Sequence, residues 1–158
     1  MIINALNLIK MKKTFLFLLA TSLTLFLCAC SNDGDSGKPI SNVSMKVGGV
    51  VKNFNNITVK EVPYADYTDL IITARNNEDP TEFVTFGLGK GDIGPGSTWG
   101  FEYTLNGIYY SEELGGNGIN SNVVINESNK LTGTFSGAVN SSENAILELS
   151  QGTFNITY

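Results

Sequence analysis

Apolar and polar residues alternate along most of the chain after residue 40, and this period of two limits the fold more than any other feature. In the segment 98–105, Trp99, Phe101, Tyr103 and Leu105 occupy every second position, with polar residues or glycine between them. Such alternation places successive side chains on opposite faces of a strand. No stretch of useful length repeats apolar residues at the spacing of a helix face. The pattern therefore predicts an all-β domain in which Trp99, Phe101 and Tyr103 share the buried face.

Turns that contain glycine and asparagine divide these alternating segments into short strands. Gly48-Gly49 and Asn106-Gly107 each separate two apolar segments by two residues, which is the spacing of a tight hairpin. Gln151-Gly152 interrupts the last alternating segment and predicts a β-bulge there. We predict an antiparallel β-sandwich of roughly nine or ten strands, because turns recur about every 8–12 residues. A closed or flattened up-and-down β-barrel is the alternative architecture.

The first 29 residues carry a different signal. Lys10, Lys12 and Lys13 precede an apolar segment, 15–29, which is shorter than the roughly 20 residues needed to cross a bilayer. This order is typical of a secretory signal peptide, which we place at residues 1–29.

The cleavage region is Leu27, Cys28 and Ala29, and together with Cys30 it resembles the bacterial lipobox. That resemblance implies cleavage before Cys30 and acylation of the Cys30 thiol and of the new amino group.

Residues 30–39 predict an acidic, flexible tether, because 31–39 contain no hydrophobic residue. Residues 40–158 then form the single all-β domain. Two or more acyl chains on Cys30 would anchor the protein stably where one chain would be marginal. The alternatives are an ordinary secreted protein with a Cys28–Cys30 pair and an uncleaved anchor. The sequence also leaves open whether Met1 or Met11 is the true start.

Charge and composition exclude several classes of function. All fifteen acidic residues but only seven of the ten basic residues follow Cys30, so the mature chain has a net charge of −8. Such a chain is a poor partner for nucleic acid, whose binding depends on lysine and arginine contacts to phosphate. The chain has no histidine, which removes Ser-His-Asp and Cys-His catalysis and the commonest metal ligand. We predict no metal and no cofactor.

Two segments near the C-terminus share a short pattern. Gly133-Thr134-Phe135 lies in one alternating segment, and Gly152-Thr153-Phe154 lies in the closing one. With the lipobox and the first hairpin after Val47, they resemble a family of small Bacteroidota outer-membrane lipoproteins of unknown function. In that family a G-T-F strand is followed by a closing G-x-F strand. The resemblance implies a lipoprotein of the outer membrane, and it carries no catalytic residue over to this chain.

Tyrosines outside the clearest core segments are the candidate binding residues. Tyr64, Tyr67 and Tyr109 could stack on a sugar ring or anchor a protein partner, because such rings offer a large contact area with a polar tip. We therefore predict a non-catalytic binding or accessory domain for an extracellular glycan or protein. The expected location is the cell outer membrane, with the domain facing outward, where acyl chains on Cys30 provide the membrane contact.

Two other functions stay open. Glu102 with Glu112 or Glu113 could form the carboxylate pair of a small glycoside-acting enzyme, because such enzymes use two carboxyl groups about 5–9 Å apart. A structural or assembly lipoprotein that faces the periplasm is the other alternative. The ligand, the strand order and the oligomeric state are not determined by the sequence.

Overall fold

The computed structural model describes residues 41–114 and 118–158, which form an all-β domain. The predicted signal peptide, the lipobox and the tether lie outside the described residues. The described residues contain eleven strands: β1 (Asn42–Val47), β2 (Val50–Phe54), β3 (Asn56–Pro63), β4 (Thr68–Arg75), β5 (Phe83–Gly89), β6 (Gly94–Pro95), β7 (Thr98–Leu105), β8 (Ile108–Ser111), β9 (Ile119–Glu127), β10 (Lys130–Ser141) and β11 (Ile146–Thr157). Within these ranges the helical content is one three-residue 3-10 turn, Glu112–Leu114, so no described helix could span a membrane. The predicted all-β, antiparallel class is confirmed.

All eleven strands belong to one sheet that is nearly closed into a barrel. Its main path runs β2-β1-β11-β10-β8-β7-β5-β4-β3, and β9 pairs with β10 and with the short β6. The two strands at the ends of this path, β2 and β3, follow each other with only Asn55 between them. The run β2–β3 therefore pairs with β1 in its first half and with β4 in its second half. This arrangement corresponds to the barrel, the alternative architecture that the sequence left open.

The barrel is a meander of antiparallel runs, several of which are joined by two-residue turns. Both predicted two-residue hairpins are present, since β1 pairs with β2 and β7 pairs with β8. Gly48, Gly49, Asn106 and Gly107 all have positive φ angles, as a twist-compatible hairpin turn requires. In the second half of the chain, β8 and β9 pair with successive parts of β10 and act as one interrupted run.

The interior of the barrel is filled by the inward-facing residues of nearly every strand. Phe86 lies beside three other rings, with centroid distances of 5.7 Å to Phe101, 6.4 Å to Phe135 and 5.4 Å to Phe154. Phe101 and Tyr103 are buried as the alternation predicted. The interior is thus a packed core, stabilised by removal of apolar surface from water. Other buried members are Val43, Met45, Phe54, Leu70, Ile72, Val84, Leu88, Leu131, Leu149 and Ile156.

The two G-T-F segments pack against each other across the β10–β11 pair. Gly133 is opposite Phe154, Thr134 is opposite Thr153, and Phe135 is opposite Gly152. A Cβ at Gly152 would lie 2.5 Å from the Phe135 ring, and a Cβ at Gly133 would collide with the Phe154 ring. Each phenylalanine therefore occupies the space that its partner glycine leaves empty. The repeated motif is a reciprocal packing device.

The predicted bulge after Ser150 is confirmed. Between two paired positions β11 has one more residue than β10 or β1, and Gln151 takes a positive φ of 51°. This extra residue restores the inward direction of Phe154 and Ile156, which are both buried.

A buried carboxylate connects β2 to the β4–β5 connection and to β7. It does so near the point where the run β2–β3 changes its partner from β1 to β4, which we call the barrel seam. Glu82 is only 3% exposed and lies just before β5. It accepts hydrogen bonds from Lys52 on β2 at 3.1 Å, from the Asn76 amide at 3.0 Å and from the Tyr103 hydroxyl. Burial by itself would raise the pKa of Glu82, but these three donors outweigh it and hold the pKa below its ordinary value of 4.5. No pattern in the sequence predicted this network.

Candidate functional site

Trp99 lies on the outer surface of the barrel, and the prediction that it belongs to the core was wrong. Thr85 pairs with Glu102 and Gly87 pairs with Trp99, so β7 has one more residue than β5 between the same two rows. Gly100 and Phe101 of β7 thus lie opposite the single residue Phe86 of β5, and Gly100 has a φ of +61°. Because one added residue reverses the side-chain alternation, Trp99 points outward while Phe101 points inward. Its side chain is 47% exposed.

The indole ring lies flat on the sheet above a glycine. A Cβ added at Gly87 would be 2.5–2.6 Å from three adjacent ring atoms of Trp99, namely Cη2, Cζ2 and Cζ3. A point at equal distance from three adjacent ring atoms faces the ring plane and does not meet its edge. Gly87 therefore provides the flat surface on which one face of the indole rests, and the other face is open to solvent.

Polar side chains and further aromatic rings continue from Trp99 along the same outer face. Glu102 and Thr85 are opposite each other, and the Tyr109 hydroxyl donates a hydrogen bond of 2.8 Å to Glu102 Oε1. Partial burial and this bond raise the pKa of Tyr109. Phe83 lies two residues from Thr85 and is covered by the Arg75 guanidinium, 4.6 Å from the ring centroid. We call Trp99, Thr85, Glu102, Tyr109 and Phe83 the aromatic face.

The aromatic face is long enough for an extended ligand. Tyr109 is opposite Thr104, five residues along β7 from Trp99. At a rise of about 3.3 Å per residue, the backbone positions of Trp99 and Thr104 are at most roughly 16 Å apart along the strand. An aromatic ring thus marks each end of the face, and the Glu102 carboxylate and the Thr85 hydroxyl lie between them.

Tyr64 and Tyr67, the other two predicted binding residues, form a separate pair in the turn between β3 and β4. Their rings stack with centroids 4.6 Å apart and an interplanar angle of 18°. The Tyr64 amide donates a 2.8 Å hydrogen bond to the Tyr67 carbonyl, which closes the turn. Both rings are more than half exposed. The structure thus brings Tyr64 and Tyr67 together, whereas Tyr109 belongs to the aromatic face.

The three glutamates of the enzymatic alternative have different environments. Glu102 accepts the bond from Tyr109, whereas Glu112 Oε1 accepts a 2.9 Å hydrogen bond from the backbone amide of Phe101. This second bond satisfies an amide beside the β7 bulge, so Glu112 has a structural task there. Glu113 is exposed at the 3-10 turn. Within residues 41–114 and 118–158, no group of three or more carboxylate, histidine or cysteine side chains could hold a metal ion.

A second outer surface, formed by β9, β10 and β11, has a different chemistry. A shallow groove of about 420 Å³ crosses these strands. Its exposed side chains are uncharged amides and hydroxyls: Asn120, Asn122, Thr134, Ser136, Gln151 and Thr153. Much of their accessible surface is nevertheless carbon, and the buried Phe135 also lines the groove. We call it the polar groove. It contains hydrogen-bonding groups but no exposed aromatic ring.

The chain matches no protein-family model, no curated protein and no solved structure. The geometry of the described residues therefore carries the functional argument.

Sequence reasoning predicted that Tyr109 is exposed but assigned Trp99, at one end of the aromatic face, to the core. One signal was available, because a glycine inside an alternating strand often marks a bulge. Gly100 follows Trp99 directly and is such a glycine. Gly87, on the neighbouring strand, could not be connected to Trp99 without the register.

Proposed function

We propose that this protein is a lipid-anchored, non-catalytic module that binds a neutral extracellular glycan on the aromatic face. The observation that carries the proposal is the half-exposed Trp99 ring lying flat on Gly87. An exposed aromatic plane is unfavourable in water unless something covers it, and large flat rings are the usual anchors of binding surfaces. The apolar C–H face of a pyranose ring has the shape and chemistry to stack there.

The groups around Trp99 suit the hydroxyls of a sugar. Glu102 accepts hydrogen bonds, Tyr109 and Thr85 can donate and accept them, and all three lie on the same face as the indole. The Thr73 and Thr85 hydroxyl oxygens are 3.4 Å apart and extend this row of polar groups onto β4. The net charge of −8 after Cys30 opposes binding of anionic polymers, which favours a neutral glycan.

The proposed anchor rests on the lipobox at Leu27-Cys28-Ala29-Cys30. Acylation of Cys30 would hold the barrel at the outer membrane, and the acidic tether would let it face outward. Protease treatment of intact cells tests the orientation, because only a surface-exposed barrel would be cleaved. Protection of the barrel would favour the alternative of a periplasm-facing structural or assembly lipoprotein.

The glycan proposal can be tested with intrinsic fluorescence, because Trp99 is the only tryptophan of the chain. A soluble chain beginning at Ser31 would first be screened on an array of neutral glycans. A ligand that stacks on Trp99 should shift its emission to shorter wavelength in a saturable titration. Replacing Trp99 by Ala should weaken binding about tenfold or more, as expected when an anchoring ring is removed.

Two matched controls distinguish the aromatic face from other surfaces. Tyr64→Ala removes a ring of similar exposure outside the face and should leave affinity unchanged. Thr134→Ala tests the polar groove in the same way. Full glycan affinity in Trp99→Ala, with loss in Thr134→Ala, would move the site to the polar groove.

The enzymatic alternative is tested with the same glycans. Product formation that disappears in Glu102→Gln would contradict a non-catalytic role. Unchanged substrate after prolonged incubation is the result that the proposal expects.

A further inference from the structure

One end of the barrel carries three exposed apolar side chains on two neighbouring loops. Tyr64 and Tyr67 lie in the β3–β4 turn, and Ile93, which is 65% exposed, lies in the loop after β5. The Lys90 amide of that loop donates a 2.7 Å hydrogen bond to the Thr68 carbonyl, so the loop lies directly beside the turn. The three exposed side chains therefore lie on two adjacent loops at this end of the barrel, and we call them the apolar tip.

Both loops of the apolar tip are held by hydrogen bonds. The Asn126 side-chain amide donates to the Gly89 carbonyl at 2.8 Å and to the Asp92 carbonyl at 3.0 Å. The turn is closed by the backbone bond between Tyr64 and Tyr67 and by the stacking of their rings. Such fixed, exposed rings need no reordering to make a contact, which lowers the entropic cost of binding.

The apolar tip is at the barrel end where the chain enters. Ser41 is hydrogen-bonded to the Thr157 backbone, with Thr157 paired to Lys130. Lys130 begins β10 directly after the β9–β10 turn, and Asn126, which holds the loop of Ile93, lies at the other side of that turn. A continuous set of contacts thus connects the first described residue to the apolar tip.

The connection to the proposed anchor is short. Ten residues, 31–40, lie between Cys30 and Ser41, so eleven Cα–Cα steps connect the two positions. A fully extended chain of this length spans roughly 36–40 Å at most, and a flexible one spans considerably less on average. An acylated Cys30 would therefore keep this end of the barrel close to the bilayer.

We propose that the apolar tip contacts the membrane, with Tyr64, Tyr67 and Ile93 in the interfacial layer of the bilayer that holds the Cys30 anchor. This inference rests on the proposed lipid anchor. Tyrosine favours the membrane interface because its ring is apolar and its hydroxyl remains hydrated. The contact keeps the barrel upright, so that the strands of the aromatic face run away from the membrane and the face stays open to a glycan.

Charge defines the kind of lipid surface. Asp66, Asp69 and Asp92 lie within or beside the two loops, whereas Lys90 is paired with Glu61 at 2.7 Å. An excess of negative charge therefore surrounds the apolar tip and opposes contact with anionic lipid. The expected surface is zwitterionic, and the contact is expected to weaken as anionic lipid is added.

The test uses the acylated full chain reconstituted into phosphatidylcholine vesicles whose acyl chains carry bromine, a contact quencher of tryptophan. In a Trp99→Phe background, Tyr67→Trp and Ile93→Trp each place a single reporter in the apolar tip. Tyr109→Trp in the same background is the control, because Tyr109 is also nearly half exposed but lies on the aromatic face. We expect at least about twofold stronger quenching in both tip variants than in the control, since only the tip would lie in the interface.

Vesicle flotation separates failure of the anchor from failure of the contact. Variants that do not float would overturn the Cys30 anchor and this inference with it. Variants that float and show equal quenching at Tyr67, Ile93 and Tyr109 would overturn the membrane contact alone. Tip quenching that increases when phosphatidylglycerol is added would contradict the charge argument and the choice of a zwitterionic surface.

Discussion

The Glu82 network offers a quantitative test of how the barrel seam is held. Glu82 is buried and accepts hydrogen bonds from Lys52, Asn76 and Tyr103. Replacing Glu82 by Gln keeps the shape but removes the charge and turns one acceptor into a donor. The fully buried Tyr103 hydroxyl or the Lys52 ammonium then loses its partner. We expect the substitution to destabilise the barrel and to couple strongly with Tyr103→Phe.

The size of the effect follows from the burial of the partners. Leaving a buried donor without an acceptor costs about 1–3 kcal/mol, and breaking a buried charge pair costs about 3–5 kcal/mol. Lys52 keeps partial contact with solvent, so the lower part of the second range applies. We expect Glu82→Gln to lower the free energy of unfolding by about 3 kcal/mol and Tyr103→Phe by about 1–2 kcal/mol. Their coupling should be at least about 1 kcal/mol.

Urea denaturation of both single variants and the double variant measures this coupling. If the loss in the free energy of unfolding of the double variant equals the sum of the two single losses within about 0.5 kcal/mol, the claim that Tyr103 and Glu82 act as one unit is refuted. Thr58→Ala, on the exposed side of β3, is a control that should change stability little.

The pH dependence of stability tests the same network independently. The pKa of Glu82 is lower in the folded protein than its ordinary value of 4.5, because three donors stabilise the carboxylate. The associated stabilisation is therefore complete above that value and is lost as the pH falls through the lower, folded pKa. The stability difference between the wild type and Glu82→Gln should narrow below pH 4.5. A difference that stays constant with pH would contradict the assigned protonation state.

Three further predictions follow from other parts of the chain. Gly87→Val should lift the Trp99 ring from the sheet, shift its emission to longer wavelength and weaken glycan binding about tenfold, which fluorescence titration measures. Gly133→Ala should lower the free energy of unfolding by about 1–3 kcal/mol through overpacking in the core, read from the urea midpoint. Cys30→Ala should abolish acylation and release soluble protein, whereas Cys28→Ala should not. Mass spectrometry of the mature N-terminus distinguishes these outcomes, and acylation that persists in Cys30→Ala would place the lipid on Cys28.

Local patterns were sufficient for the class of fold and for several of its connections. The alternation in 98–105 and in the C-terminal segments predicted strands, and the two-residue turns predicted both hairpins. Gln151-Gly152 predicted the bulge in β11. Each of these features depends on the backbone geometry of a few consecutive residues. A short segment of sequence is therefore enough to predict it.

The site was less predictable because it depends on pairing between strands. Trp99 follows the same alternation as Phe101 in the sequence, yet one extra residue near Gly100 turns it to the opposite face. The flat position of its ring requires Gly87, which comes twelve residues earlier and is adjacent only in the sheet. Tyr64 and Tyr67 were identified as exposed, but their position at the chain entry depends on the closed order of the strands.

The sequence by itself determined that this protein is an antiparallel β domain, because period-two alternation and turn residues are local, and a local pattern likewise predicts a lipobox-like leader before it. The tertiary structure alone decided three further features: the single nearly closed sheet, the Glu82 network across its seam and the outward position of Trp99. Each of these depends on which strands become neighbours and in what register. Register is a property of the whole barrel, since a shift of one residue moves a side chain from the core to the surface.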